Sequence, residues 1–94
     1  MDWRRIPLGE HVTEAARVVG ESEIVIDFGP EARGWFRVTV FEDLKAAPEA
    51  AYFARAVERE DPAIQALATA ETPEEAASLC VREAGVSLRR ARGA

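Results

Sequence analysis

Few side chains in this sequence could move a proton or hold a metal near neutral pH. His11 is the only histidine, so general acid–base chemistry would default to it. Glu14 stands one helical turn further on, and the two together could begin a metal site. Sites of that kind need three or four ligands, and nothing elsewhere in the chain has the spacing to complete one. His11 therefore reads as a solvated histidine near a helix start. Cys80 is the only cysteine, so it cannot form an internal disulfide. A thiol becomes a nucleophile when a basic neighbour makes it thiolate. Leu79 and Val81 flank Cys80 and Arg82 faces elsewhere on the helix, which fits a buried structural cysteine.

Carboxylates cluster at Glu42-Asp43, Glu58 to Asp61 and Glu71 to Glu75. Asp61 and the Glu74/Glu75 pair sit where helices are expected to start, and the helix dipole favours negative charge there. Arg55 and Arg59 offset Glu58 and Glu60. There is no glycine-rich phosphate loop, and Ser22, Ser78 and Ser87 lack the setting of a nucleophile elbow. No catalytic, cofactor-binding or metal-ligating residue is assigned, and a non-enzymatic role is expected.

The elements that would position these residues change period near residue 43. Before it, Glu23–Phe28 and Phe36–Phe41 alternate apolar and polar with period two, as the strands of an antiparallel hairpin do. Gly29, Pro30 and Gly34 supply the turn. The expected register sets Phe28 opposite Phe36, Ile26 opposite Val38, Ile24 opposite Val40 and Asp27 opposite Arg37. The second face of this hairpin carries Trp35 and Phe41 with Val25, Asp27, Arg37 and Thr39. Two large aromatics on a nominally solvent face need cover, from a first helix or from a second copy. Trp35, Phe41 and Arg37 are the candidate interface.

The remaining segments read as helices. Val12, Ala15, Ala16 and Val19 have helical spacing within a first helix over Gly9 to Val19, stopped by Gly20. Trp3, Ile6 and Leu8 before it look like an apolar arm. Pro48 opens a second helix with Ala50, Phe53, Ala54 and Val57 as its apolar stripe. Asp61-Pro62 fits an N-cap and first position for a short helix carrying Ile64, Leu67 and Ala68. Thr72-Pro73-Glu74-Glu75 is a capping box, opening a last helix that ends at Gly85. Val86 and Leu88 alternate with polar neighbours, which allows a short third strand. The expected fold is one α+β domain over residues 1–94: an antiparallel β-hairpin, with room for a third strand, packed with three to four short helices.

Ninety-four residues suit one domain with a small core, and alanine dominates its apolar content. The large side chains expected inside are Trp3, Ile24, Ile26, Phe28, Phe36, Val38, Val40, Phe53, Leu67 and Leu79. A core this thin favours self-association, which buries surface that a monomer cannot. The net charge is −5, with arginines at both ends and an acidic body between them, so phosphate backbones are repelled and nucleic-acid binding is not expected. No apolar run is long enough to span a bilayer, and no basic-then-apolar leader precedes the first element. These features fit a cytoplasmic protein in a reducing compartment. Eleven of the twelve basic residues are arginine, and asparagine is absent. That composition fits heat adaptation, and a GC-rich genome produces the same bias.

The residues Asp61-Pro62-Ala63-Ile64-Gln65, Leu67, Thr72-Pro73-Glu74-Glu75-Ala76 and Glu83-Ala84-Gly85 resemble the nitrogen-fixation-linked leader-peptide family. Its members are short helical leaders of ribosomally made, modified peptides. Val86 follows Gly85 where that family carries a double glycine, and the family has no hairpin in front. The expected function is a small accessory or interaction protein acting as a homo-oligomer, with self-association or another protein as partner. One alternative is a ligand-binding protein or enzyme with a pocket near Trp35 and Phe41. The resemblance implies a second, a leader-like recognition module.

Overall fold

The computed structural model describes residues 15–93. Trp3, Ile6, Leu8, His11 and Glu14 lie outside the described residues, as does most of the expected first helix. Four strands form one antiparallel sheet in the order of the chain: β1 (Ala16–Asp27), β2 (Arg33–Asp43), β3 (Tyr52–Glu58) and β4 (Gln65–Ala70). A single helix, α1 (Pro73–Arg92), then crosses back over one face and packs on β2, β3 and β4. The α+β class is as expected, but three to four helices are not present among the described residues. Ala16–Val19 belongs to β1, residues 53–57 to β3, and residues 65–70 to β4. Of the helix expected after Pro48, only a 3-10 turn at Pro48–Ala50 forms.

Alanine misleads here because its helix preference is a weak local term that packing overrides. In β3, Ala54 and Ala56 face the helix while Phe53, Arg55 and Val57 face away. In β4, Ala66, Ala68 and Ala70 face the helix while Gln65, Leu67 and Thr69 face away. The alternation has period two, which is the strand signature. The matching surface of α1 is equally small: Ala76, Cys80, Ala84 and Leu88 recur every fourth residue and are fully buried. Small residues on both sides let the helix lie close to the sheet. Phe36, Val38, Val40 and Ile64 complete the core, and Ile24 and Ile26 pack at its margin.

The hairpin exists, but with a different register. Ile24 pairs with Phe36, Ile26 with Gly34, Glu23 with Arg37 and Asp27 with Arg33. The loop is correspondingly short, closed by the Phe28 N–H to the Ala32 carbonyl at 2.9 Å, with Gly29 at φ 120°. Gly34 is a strand residue, not a turn residue. A Cβ there would stand 3.0 Å from the Phe36 ring and 3.1 Å from Leu88, so glycine lets β2 and α1 pack here without either side chain giving way. Phe28 is displaced from the strand pairing and lies 48% exposed against the helix, and Leu67 and Leu79 are also exposed.

The last helix begins as expected. Thr72 is its N-cap, with the hydroxyl accepting from the Glu75 N–H at 3.2 Å, and Pro73 opens the first turn. It does not stop at Gly85. The helix continues to Arg92, and Gly93 at φ 72° ends it, so Val86 and Leu88 are helical and no strand forms there. Gly85 instead faces Phe28, whose ring atoms would lie 3.4 and 3.7 Å from an added Cβ. Asp61 is likewise a turn residue: its carboxylate accepts from the Ala63 N–H at 3.2 Å, and β4 follows instead of a helix.

Candidate functional site

Because α1 covers one face of the sheet only, the other face is open among the described residues. Strand alternation places Val18, Glu21, Glu23 and Val25 of β1 on it, then Trp35, Arg37, Thr39 and Phe41 of β2. Phe53, Arg55 and Val57 of β3 follow, and Gln65, Leu67 and Thr69 of β4. An antiparallel sheet with one covered face ordinarily turns a polar face to water. Here seven of these positions are large and apolar, with Trp35 40% exposed and Leu67 64% exposed. Large apolar side chains gathered on one surface mark a contact site more often than scattered ones do.

The structure places Trp35, Arg37 and Phe41 together on this face, at alternating positions of one strand. They do not share a pocket. Six residues of strand separate Trp35 from Phe41, which is about 20 Å at the usual rise. Each marks a different end. At the Phe41 end, Phe41 and its cross-strand neighbour Phe53 stack with ring centroids 4.6 Å apart and 15° between planes. Beside them Phe53, Leu67, Thr69, Ala15, Ala16 and Asp43 line a shallow apolar hollow of about 580 Å³.

At the Trp35 end the surface is charged. The Arg59 guanidinium lies over the indole at 5.2 Å, a cation–π contact. Arg37 lies 3.8 Å from both Glu21 and Glu23, and Arg33 lies 3.7 Å from Asp27. The expected Asp27–Arg37 pair is therefore replaced by these, a direct result of the shifted register. A hollow of about 580 Å³ lined by Glu23, Arg37, Arg55, Val57, Glu58, Arg59 and Pro62 lies between Glu23 of β1 and the arginines at positions 55 and 59.

Three polar groups of the covered side have structural partners. Glu42, almost fully buried, accepts from Arg17 Nη2 at 2.7 Å and from the Tyr52 hydroxyl at 3.5 Å. Glu58, also buried, closes the β3–β4 turn by accepting from the backbone N–H groups of Glu60 and Asp61. Cys80 is buried, as expected, with its thiol 3.6 Å from the Ala66 carbonyl oxygen, and burial pushes the thiol above its ordinary value. A thiol held neutral and out of solvent is a poor nucleophile. Among the described residues no three potential metal ligands gather, and no helix is long and apolar enough to cross a membrane.

Phe53, Arg55 and Leu67 belong to the open face and escape a reading that makes their segments helical. The signal that would have found them is the period-two placement of alanine at 54 and 56, and at 66, 68 and 70. Comparison with protein-family profiles, curated proteins and solved structures finds no match.

Proposed function

We propose that this chain is a small non-enzymatic interaction protein that works as a homo-oligomer, with the open sheet face as its contact surface. One observation carries this reading: a four-stranded sheet with a helix on one side presents Val25, Trp35, Phe41, Phe53 and Leu67 on the other. Layered domains gain stability by burying such faces against another layer, and this chain's one described helix is already committed to the opposite side. Three buried polar groups among the described residues support the same reading. Glu42 and Glu58 are engaged in ion pairing and turn closure, and Cys80 is shut inside the core. Trp35 supplies an anchor of the kind that dominates interface energetics when desolvated.

The test is mass against concentration, by light scattering over a dilution series. Wild-type protein is expected to form an oligomer that dissociates on dilution. Trp35→Asp is expected to remain monomeric throughout that range while keeping its circular dichroism spectrum. A wild-type chain that stays monomeric up to millimolar concentration would falsify the proposal.

A further inference from the structure

Charge on the open face is divided unevenly between its two halves, and this suggests how a second copy would sit. On the β1–β2 side, Arg37 answers two carboxylates, Glu21 and Glu23, at 3.8 Å each, and Arg33 answers Asp27. That half is left with surplus negative charge. Arg55 of β3 and Arg59, just past the end of that strand, face outward with no carboxylate within ion-pairing distance among the described residues, and Arg59 rests on the Trp35 ring instead. The outward residues of β4, Gln65, Leu67 and Thr69, carry no charge. The face is therefore acidic toward the β1 edge and basic around Arg55 and Arg59, with Trp35, Arg37 and Thr39 of β2 between.

Resting on the self-association reading above, we infer that two copies pack open face to open face about a two-fold axis parallel to the strands. Glu21 and Glu23 of each copy then answer Arg55 and Arg59 of the other. Such an axis carries β1 of one copy over β4 of the second and β2 over β3, because rotation reverses the strand order across the interface. Facing sheets lie about 10 Å apart and β3 lies one strand spacing, about 4.8 Å, to the side of β4, a span within the combined reach of an arginine and a glutamate. The acidic edge of each copy thus meets the basic half of the other, twice. A two-fold perpendicular to the strands would instead set β1 on β1 and bring the four glutamates together, which like-charge repulsion disfavours. The hollow lined by Glu23, Arg37, Arg55 and Arg59 is where these side chains would meet. Trp35 and Leu67 would be buried in the same contact.

Two charge-inverted chains test the arrangement. One carries Arg55→Glu with Arg59→Glu; the other carries Glu21→Arg with Glu23→Arg. Each alone is expected to dimerise at least about tenfold more weakly than wild type at low salt, because all four facing charges would then have one sign. Mixed in equal amounts they are expected to form a heterodimer at least as tight as the wild-type dimer, read by light scattering and by native mass spectrometry, with circular dichroism confirming that each chain is folded. Intrachain pairing alone predicts no gain on mixing. If wild type dimerises and Trp35→Asp abolishes it, but either charge variant behaves as wild type or the mixture gains nothing, the arrangement is overturned while the self-association reading stands. A wild-type monomer at every concentration overturns both and gives the face to another occupant, the chain's own residues 1–14 included.

Discussion

The two faces of one sheet differ more than any other two regions of this molecule. On the covered face, β3 presents Ala54 and Ala56 between Tyr52 and Glu58, β4 presents Ala66, Ala68 and Ala70, and Phe36, Val38 and Val40 of β2 fill the space beside them. On the open face the same strands present Phe53, Val57 and Leu67, residues much larger than the alanines behind them. Bulk is placed where the described residues supply no second layer, and small side chains are placed where they do. A helix that must approach closely needs alanine and glycine beneath it. A surface that meets another surface gains from large side chains with exposed area. This inversion is the physical basis for treating the open face as a working surface.

Substitutions on the two faces should therefore act on different quantities. Phe36 is the largest fully buried side chain, so Phe36→Ala should cost about 4 kcal/mol in urea denaturation, through lost burial and the cavity left under α1. A loss below about 1 kcal/mol would mean that the covered face is not the core. Gly34→Ala comes next. The added methyl meets Phe36 and Leu88 at contact distances that neither can easily concede, and overpacking of this kind costs about 1–3 kcal/mol. A neutral or stabilising outcome would show that the helix is free to move away, and would remove the argument that small residues are there for close approach.

The smallest expected effect sharpens the contrast. Leu67→Thr, at 64% exposure on β4, should change monomer stability by no more than about 0.5 kcal/mol, measured at concentrations below those at which copies associate. The same substitution should weaken dimerisation clearly. If instead it destabilises the monomer as strongly as Gly34→Ala does, then the open face is covered within a single chain, and the comparison between the two faces fails.

What could be read in advance divides along the same line. The hairpin, the N-cap at Thr72 and the burial of Cys80 are legible because they rest on neighbours in sequence: alternation along a strand, a hydroxyl three residues before an amide, a thiol between apolar side chains. The presence of Trp35, Arg37 and Phe41 on one face follows from alternation alone. β3 and β4 are not legible by propensity, because alanine favours helix locally and only the helix lying over it makes a strand the better use of it. The hairpin register also escapes. Gly29 and Gly34 look alike as turn residues, and only the fold brings Leu88, more than fifty positions further along the chain, against Gly34.

The sequence by itself determined the α+β class, the start of the last helix and the side chains that Trp35 shares its face with on β2. The packing of distant segments set the four strands of the described residues, their register, the length of α1 and the face that these residues leave uncovered. The reason is range. Caps and alternation are set by interactions within a few residues. Whether Ala54 lies in a helix or a strand, whether Gly85 ends a helix or receives the Phe28 ring, and whether Gly34 turns or pairs are each set by contacts between segments far apart in the chain.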